Sequence, residues 1–435
     1  MRPRPAGAPG EASRRRRRFG LVLLLLLLPL PLATLPASAA AVDPRLRTAD
    51  LLRPAEPPPP VEAPGFLVMD EQTGQVLAER QGDVPRPPAS ITKILTALVV
   101  LERRRPDERV TVSREASQVQ GSRVYLSGGS TFTVEQLLLA LMLASANDAA
   151  VALAEHVAGS EEAFASLMNR RALQLGARTA HFVNASGLPD PSHVASPLDM
   201  ALIARAALQN PAFRRLVATR EADIPWYHGS GPRHLVNHNK LLFEHPDVVG
   251  VKNGYTVEAG QTLVLAVRRG SEGILVVTMG GGSRNWEESY ALADWAFRNF
   301  RRIEAVRAGQ RFLLPAGAER HVEAEATRAL RLDVPVGSPP PRLRLRTFRS
   351  ERPGGVSARV EVYVGDVQVG DVALARPATE QQAAGAGAGW RDRGGWLLAG
   401  LALLAVGWEW RLRRLRRRRL ALRRRRRELP AGEGR

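Results

Sequence analysis

The 435-residue chain has no cysteine, so disulfides, thiolate zinc sites, iron–sulfur clusters and cysteine nucleophiles are excluded. Aromatic residues make up only 5%. Lysine is scarcer still: Lys93, Lys240 and Lys252 are the only three among 62 basic residues, and the other 59 are arginine. No internal repeat is present, which argues against a solenoid or propeller. What is present is 44% apolar residues, enough for a packed core and incompatible with a wholly disordered chain. At roughly 100–200 residues per domain, the length corresponds to two or three domains.

The formal net charge of +19 invites a nucleic-acid reading until its placement is considered. Residues 1–18 carry net +6 and residues 411–435 carry +11, which leaves +2 for residues 19–410. Both basic ends adjoin apolar runs. Arg14 to Arg18 precede a leucine run to Leu28 and then Ala37-Ser38-Ala39, the charge, length and cleavage pattern of a signal peptide over residues 1–39. The paired arginines also suit twin-arginine export. Residues 394–410 are mostly apolar, with Trp396, Trp408 and Trp410 near the edges, and an arginine-rich tail follows at 411–435. This reads as one C-terminal transmembrane helix with a cytoplasmic tail. An interfacial helix held to anionic lipid is the alternative. The expected location is the cell membrane, single-pass, with residues from about 40 to 390 extracytoplasmic. The lipid bilayer is then the partner of the tail, and no nucleic acid is expected.

Between the ends, residues 40–64 form a leader whose proline-rich part, from residue 52, reads as stiff and extended. Residues 65–300 mix helices and strands. Phe66–Met69 and Gln75–Ala78, separated by Gly74, predict a hairpin. Ile91, Ile94, Leu95, Leu98 and Val99 have helical spacing after Pro87-Pro88. Thr133 and Gln136 form a capping-box pattern for a helix through Leu143, and Asp148–His156 predicts another, closed by Gly159. Strands are expected at Thr262–Val267 and Ile274–Met279, and a helix at Glu287–Phe300. Residues 301–378 carry short, alternating apolar runs that predict a small all-β domain, a sandwich. Residues 379–393 read as a flexible linker.

In a chain that uses arginine wherever a generic cation suffices, a retained lysine is a candidate for something arginine cannot do. The clearest such task is losing a proton, because arginine is effectively always charged while burial can drive a lysine neutral. Lys93 ends Ser90-Ile91-Thr92-Lys93. That spacing puts hydroxyl and amine on one face of a helix, with Ser90 on its opening turn. A serine beside a neutral lysine has the base it needs to become a nucleophile. Ser145-Ala146-Asn147 falls in a small-residue break between two helices, where Asn147 either offers a substrate its amide or caps the following helix. Lys252-Asn253-Gly254 precedes an apolar strand and can present a fixed cation to an anionic substrate. Each tripeptide or tetrapeptide is a weak signal alone. In this order and wide spacing they correspond to Ser-x-x-Lys, Ser-x-Asn and Lys-(Thr/Ser)-Gly, the three signatures of penicillin-recognising serine acyl-transferases.

On these residues the chain resembles the serine D-alanyl-D-alanine carboxypeptidases among the low-molecular-mass penicillin-binding proteins. The likeness covers roughly residues 62–378. It extends to Leu143–Ala149, Asn184–Leu188 with Ser196–Ile203, Asn237–Leu242 and Gly250–Thr256. The resemblance implies an α/β penicillin-recognising serine transferase domain, with an antiparallel sheet, helices on both faces and an all-α cluster, followed by the small β domain. It implies removal of the terminal D-alanine from peptidoglycan stem peptides through an acyl-serine intermediate, with β-lactams as inhibitors and no cofactor or metal. By the same resemblance Ser90 is the nucleophile and Lys93 its base. Ser145 relays protons, Asn147 holds the substrate amide, Lys252 receives the terminal carboxylate, and the backbone N–H groups of Ser90 and Tyr255 form the oxyanion hole. Asn253 departs from the Thr or Ser usual in the third motif, but its amide can still donate toward a carboxylate.

Three rival readings exist. A β-lactamase-like hydrolase shares the motifs, but class A enzymes add a Glu-x-x-Leu-Asn block that is absent between Ser145 and Lys252. A zinc peptidase could draw on His193, Asp199, His228, His234 and His238, yet no ligand spacing ties them together. A catalytically weak muropeptide-binding wall protein is the reading Asn253 motivates, and the Ser90–Lys93 pair argues against it.

Overall fold

A computed structural model describes residues 52–315, 321–349 and 356–375. The expected signal peptide, linker, transmembrane segment and arginine tail lie outside the described residues. Among the described residues no helix is long and apolar enough to cross a membrane.

The chain opens with the expected hairpin, β1 (Gly65–Asp70) and β2 (Val76–Arg80). A 3-10 turn at Ala89–Thr92 leads into α1 (Lys93–Leu101). The short strands β3 (Arg109–Thr111) and β4 (Thr131–Thr133) pair around α2 (Arg114–Gln118). Then come α3 (Val134–Leu143), α4 (Asn147–Ala158), α5 (Glu161–Gln174), α6 (Pro197–Gln209) and α7 (Pro211–Ala218). A small pair, β5 (Glu221–Ile224) and β6 (Arg233–Val236), and α8 (Leu241–Glu244) bring the chain to β7 (Val248–Thr256), β8 (Gly260–Arg269), β9 (Glu272–Gly281) and α9 (Asn285–Asn299).

The central sheet is antiparallel throughout, in the order β2-β1-β9-β8-β7. Its strands are apolar on both faces because both faces are covered. The period-2 alternation sorts the side chains. Met69, Val264, Ala266, Leu275 and Val277 enter the larger core under the helical cluster, while Val68, Leu265, Val267 and Val276 pack under α9 around Leu292 and Trp295. Helix α1 runs through the larger core, buried from Lys93 to Val100, which accounts for its apolar residues all round. The predicted caps form: Thr133 and Gln136 close a capping box on α3, and Gly159 ends α4 in the left-handed region.

Strand β10 (Phe300–Val306) follows α9 directly, then β11 (Arg311–Pro315), β12 (His321–Ala326), β13 (Leu330–Pro335), β14 (Arg342–Arg349), β15 (Val356–Val364) and β16 (Val367–Ala375). The pair β10-β13 and the five-stranded sheet β11-β12-β16-β15-β14 share a core of Val306, Leu332, Val334, Val360, Val362 and Val372. The expected small β domain is thus two packed sheets.

Two features go beyond the sequence reading. The proline-rich leader is a strap bound to the domain surface. The Trp295 indole donates to the Glu56 carbonyl (3.1 Å), the Glu62 N–H donates to Glu288 (2.9 Å), Val61 and Ala63 are buried, and Leu52 reaches the β-domain core. An extended proline-rich segment leaves its carbonyls free to accept such bonds. The second is a buried acid pair at the seam with the β domain. Arg302 of β10 pairs with both Asp70 at the end of β1 and Asp333 of β13. The Thr73 hydroxyl lies 2.9 Å from Asp70 Oδ1 and 2.8 Å from Asp333 Oδ2. One hydroxyl carries one proton, so it donates to only one of the two carboxyls, and the second bond needs a protonated partner. Burial first, then the charge of Asp70, pushes the Asp333 carboxyl up to about 7, which makes Asp333 the proton carrier.

Candidate active site

Ser90 lies on the 3-10 turn that precedes α1, not on the opening turn of an α-helix as expected. The consequence for geometry is favourable. Residues i and i+3 eclipse in a 3-10 turn, so Lys93 Nζ comes to 3.0 Å from Ser90 Oγ. The chain enters the turn through Ala89, which has φ +51° despite its Cβ. Neighbours hold it there. Thr262 on β8 donates to the Pro88 carbonyl (3.0 Å). Gly187, itself at φ +84°, passes so close that a Cβ would run into the Ala89 carbonyl oxygen. His193 sits 2.9 Å from the Thr92 hydroxyl. Its Nδ1 accepts the Val183 N–H (3.2 Å), so Nε2 carries the ring proton and donates to Thr92. Burial pushes His193 down to about 4, which keeps that neutral tautomer in place.

Lys93 is fully buried and its amine has three partners: Ser90 Oγ, Asn147 Oδ1 at 2.8 Å and the Ser186 carbonyl at 2.6 Å. Two of these are pure acceptors. A neutral amine has two N–H donors and one lone pair. It therefore satisfies Asn147 and Ser186 and keeps its lone pair for the Ser90 hydroxyl proton. The electrostatics agree: burial first, and then the charge of Lys252, hold the Lys93 amine well below its usual value, against a weaker opposing pull from Asp148 and Glu161.

The second motif flanks this pair. Ser145 follows α3 at φ +57° in a buried position, and Asn147 stands in the first turn of α4. Asn147 does not cap the helix. Its Oδ1 faces Lys93 and its Nδ2 donates to the Gln120 carbonyl (2.7 Å). The adjoining Asp148 carboxylate accepts the N–H groups of Leu126 (3.0 Å) and Val124 (3.3 Å). Residues 120–126 are thereby fastened beside the site, with Tyr125 exposed.

The third motif lies on β7. Lys252 is buried and donates to the Asn253 carbonyl (2.9 Å), with Asn253 Oδ1 at 3.5 Å. Burial pushes its amine down to about 7. Gly254 faces the nucleophile's turn: a Cβ there would stand 2.6 Å from the Ser90 amide nitrogen. Tyr255 presents its backbone next to this point and its side chain to solvent. The third lysine, Lys240, is an exposed partner of Glu287 (2.9 Å).

The Ser186 carbonyl was not among the residues singled out from the sequence. Its segment, Asn184–Leu188, carried the only available signal, because a carbonyl acceptor leaves no side-chain signature. The histidines and aspartate that could have served a metal are dispersed. Asp199 caps α6, His228 bonds Ser127 (2.7 Å), His234 pairs with Asp223 (2.9 Å), and the His238 N–H donates to Leu143 (3.1 Å).

Comparison with known proteins assigns the chain to a family. Residues 53–283 match the family model described as D-alanyl-D-alanine carboxypeptidase. The chain is 36% identical over 248 residues to D-alanyl-D-alanine carboxypeptidase DacB2 of Mycobacterium tuberculosis, covering 55% of this chain and 84% of that one. It is 34% identical over 247 residues to DacF of Bacillus subtilis, covering 55% of this chain and 63% of the relative. Penicillin binding protein 5 of Haemophilus influenzae superposes with a TM-score of 0.65 at 25% identity, over 74% of this chain and 98% of that one, and so takes in the β domain as well. The match to the family model spans both lysine motifs and the turn that carries Ser90, and the chain belongs to the D-alanyl-D-alanine carboxypeptidase family.

Proposed function

We propose that the chain is a serine D,D-carboxypeptidase that removes the terminal D-alanine from peptidoglycan stem peptides. The observation that carries this reading is the set of partners around Lys93, which suits a neutral amine accepting the proton of Ser90. Ser90 Oγ attacks the carbonyl carbon of the penultimate D-alanine as its proton passes to Lys93. The oxyanion that forms is received by the backbone N–H groups of Ser90 and Tyr255, and the missing Cβ at Gly254 leaves room in front of Ser90. Lys252 and Asn253 hold the terminal carboxylate. Collapse breaks the C–N bond, the departing amine takes a proton through Ser145, and D-alanine leaves. Water, deprotonated by Lys93, then cleaves the ester and regenerates Ser90. Asn147 orients Lys93 and the substrate amide. A β-lactam carbonyl acylates Ser90 by the same attack. The chain works outside the cytoplasm, tethered by residues 394–410, a reading supported by the distribution of arginine about the two apolar runs.

The test is labelling with a fluorescent penicillin together with D-alanine release from a pentapeptide. One covalent adduct is expected, lost in Ser90→Ala, along with release of D-alanine. A folded protein that neither labels nor releases D-alanine would instead be a muropeptide-binding protein. Membrane fractionation of the full chain, against a form ending at residue 378, tests the tether.

A further inference from the structure

Between its basic ends the chain divides its charge unevenly. Residues 65–300 carry 23 basic against 24 acidic side chains, net −1, whereas residues 301–378 carry 14 arginines against nine acidic side chains, net +5. Arg342, Arg344, Arg346 and Arg349 all fall on β14, which holds no acid. Among the described residues β14 is an edge strand, paired only with β15. Arg342, Arg344, Arg346 and Phe348 share one of its faces, and Leu343, Leu345 and Thr347 the other. All seven are exposed, Leu343 and Leu345 to 40% and Phe348 to 43%.

Arginines along a free edge keep other strands away. That role does not account for two leucines and a phenylalanine left in water beside them, which make a free edge more adhesive. Arginine mixed with leucine and phenylalanine suits the boundary between headgroups and acyl chains of an anionic bilayer. The guanidinium groups are open to such a partner. Arg344 forms no ion pair among the described residues. Arg342 pairs with Asp366 (2.9 Å) and Arg346 with Glu361 (3.0 Å), yet both side chains stay more than half exposed.

The place of the strand in the sheet says which surface it meets. β14 and β16 are both antiparallel to β15, so they run in one direction and finish at one end of the sheet. Thr347 stands opposite Ala358, and Ala358 opposite Leu374. β16 ends at Ala375, and 18 residues separate it from the apolar run 394–410. A chain of that length reaches no further than roughly 65 Å, and a coil of that length averages roughly 20–25 Å. Under the tether proposed above, on which this inference rests, the end of the sheet that carries Phe348 is held near the bilayer.

We propose that this end of β14 rests on the outer surface of the membrane that anchors the chain. Arg344 and Arg346 meet anionic phosphate headgroups, and Leu345 and Phe348 reach the acyl boundary. A single tether leaves a domain free to turn, and this second contact fixes which side of the β domain faces the lipid.

The chain has no cysteine, so a single introduced one is labelled alone. Thr347→Cys on β14 and Asp366→Cys, in the turn at the opposite end of the same sheet, each receive an uncharged fluorophore. The full chain is then reconstituted in vesicles of phosphatidylcholine, with or without phosphatidylglycerol, and quenching by acrylamide reads access to water. At low salt the label at 347 should be quenched about three- to tenfold less when phosphatidylglycerol is present, within the range for two arginines at an anionic surface. The label at 366 should be quenched equally in both. High salt should remove the difference. So should the double variant Arg344→Gln, Arg346→Gln, with its fold checked by melting temperature. The salt arm decides the matter if that variant does not fold. A chain that floats with the vesicles but shows no lipid-dependent protection at 347 overturns the contact and leaves the tether intact. A chain that does not float overturns the tether and this inference together. Equal protection at 347 and 366 overturns the assignment to β14. Protection in detergent that rises with protein concentration also overturns it, and gives the edge to a second copy of the chain.

Discussion

The molecule buries two like-charged pairs and treats them in opposite ways. At the seam, Asp70 and Asp333 share a cation, Arg302, and a hydroxyl, Thr73. In the site, Lys93 and Lys252 have only neutral oxygens as hydrogen-bond partners, from Asn147, Ser186, Ser90 and Asn253. A shared counter-ion and a shared proton let two buried carboxyls stand side by side as a fixed contact. Withholding a counter-ion drives the amines toward neutrality, which is what a base needs and a structural contact does not.

Four changes would break or sharpen this contrast. The largest effect belongs to Lys93→Met, which should slow penicillin acylation by about 10²–10⁴-fold, read as the labelling rate. Its stability loss should stay near the about 1–3 kcal/mol of two unpaired carbonyls. Arg302→Ala should behave in reverse: a loss of about 3–5 kcal/mol in urea unfolding, from a buried acid pair left without its cation, with acylation of the folded protein retained. A full pH profile of kcat/KM should be bell-shaped. It falls on the acid side as Lys93 takes up a proton, and above about pH 7 as Lys252 loses the charge that holds the carboxylate. A profile flat into acid would exclude Lys93 as the base. Stability should respond to pH with opposite signs in the two places. Asp333 binds a proton in the folded state that the unfolded chain releases near pH 4, so its contribution declines as pH rises from about 4 to about 7. Lys252 is depressed, so its contribution grows between about 7 and about 10. Asp333→Asn should flatten the first slope alone, the smallest of the four effects, seen in melting temperature against pH.

Much of the site was legible because its side chains are close in sequence or unusual in type. Ser90 and Lys93 are three residues apart, and lysine stands out in an arginine-rich chain. The third lysine, Lys240, shows the limit of that signal, since it merely pairs with Glu287 at the surface. The hairpin β1-β2 and the capping box on α3 were readable from local patterns for the same reason. What could not be read depends on distant or backbone partners. The seam joins residues more than 250 positions apart, as in the contact of Thr73 with Asp333. The Ser186 carbonyl is anonymous in sequence. The 3-10 turn under Ser90 is imposed by Gly187, Thr262 and His193 rather than by its own residues. Strands of three residues, such as β3 and β4, are too short for any periodicity to register.

The strap formed by the leader has a consequence for how the polypeptide acquires its shape. Its anchors, Glu288 and Trp295, lie 226 and 239 residues downstream of the groups they hold. Strand β1 likewise waits for β9, its neighbour in the middle of the sheet. Contacts this remote along the chain make assembly slow, because closure of the long loop precedes any reward. The first described segment to be synthesised is thus among the last to be fastened, and a chain halted before residue 248 leaves its nucleophile turn without β7 and β8, the strands that support it.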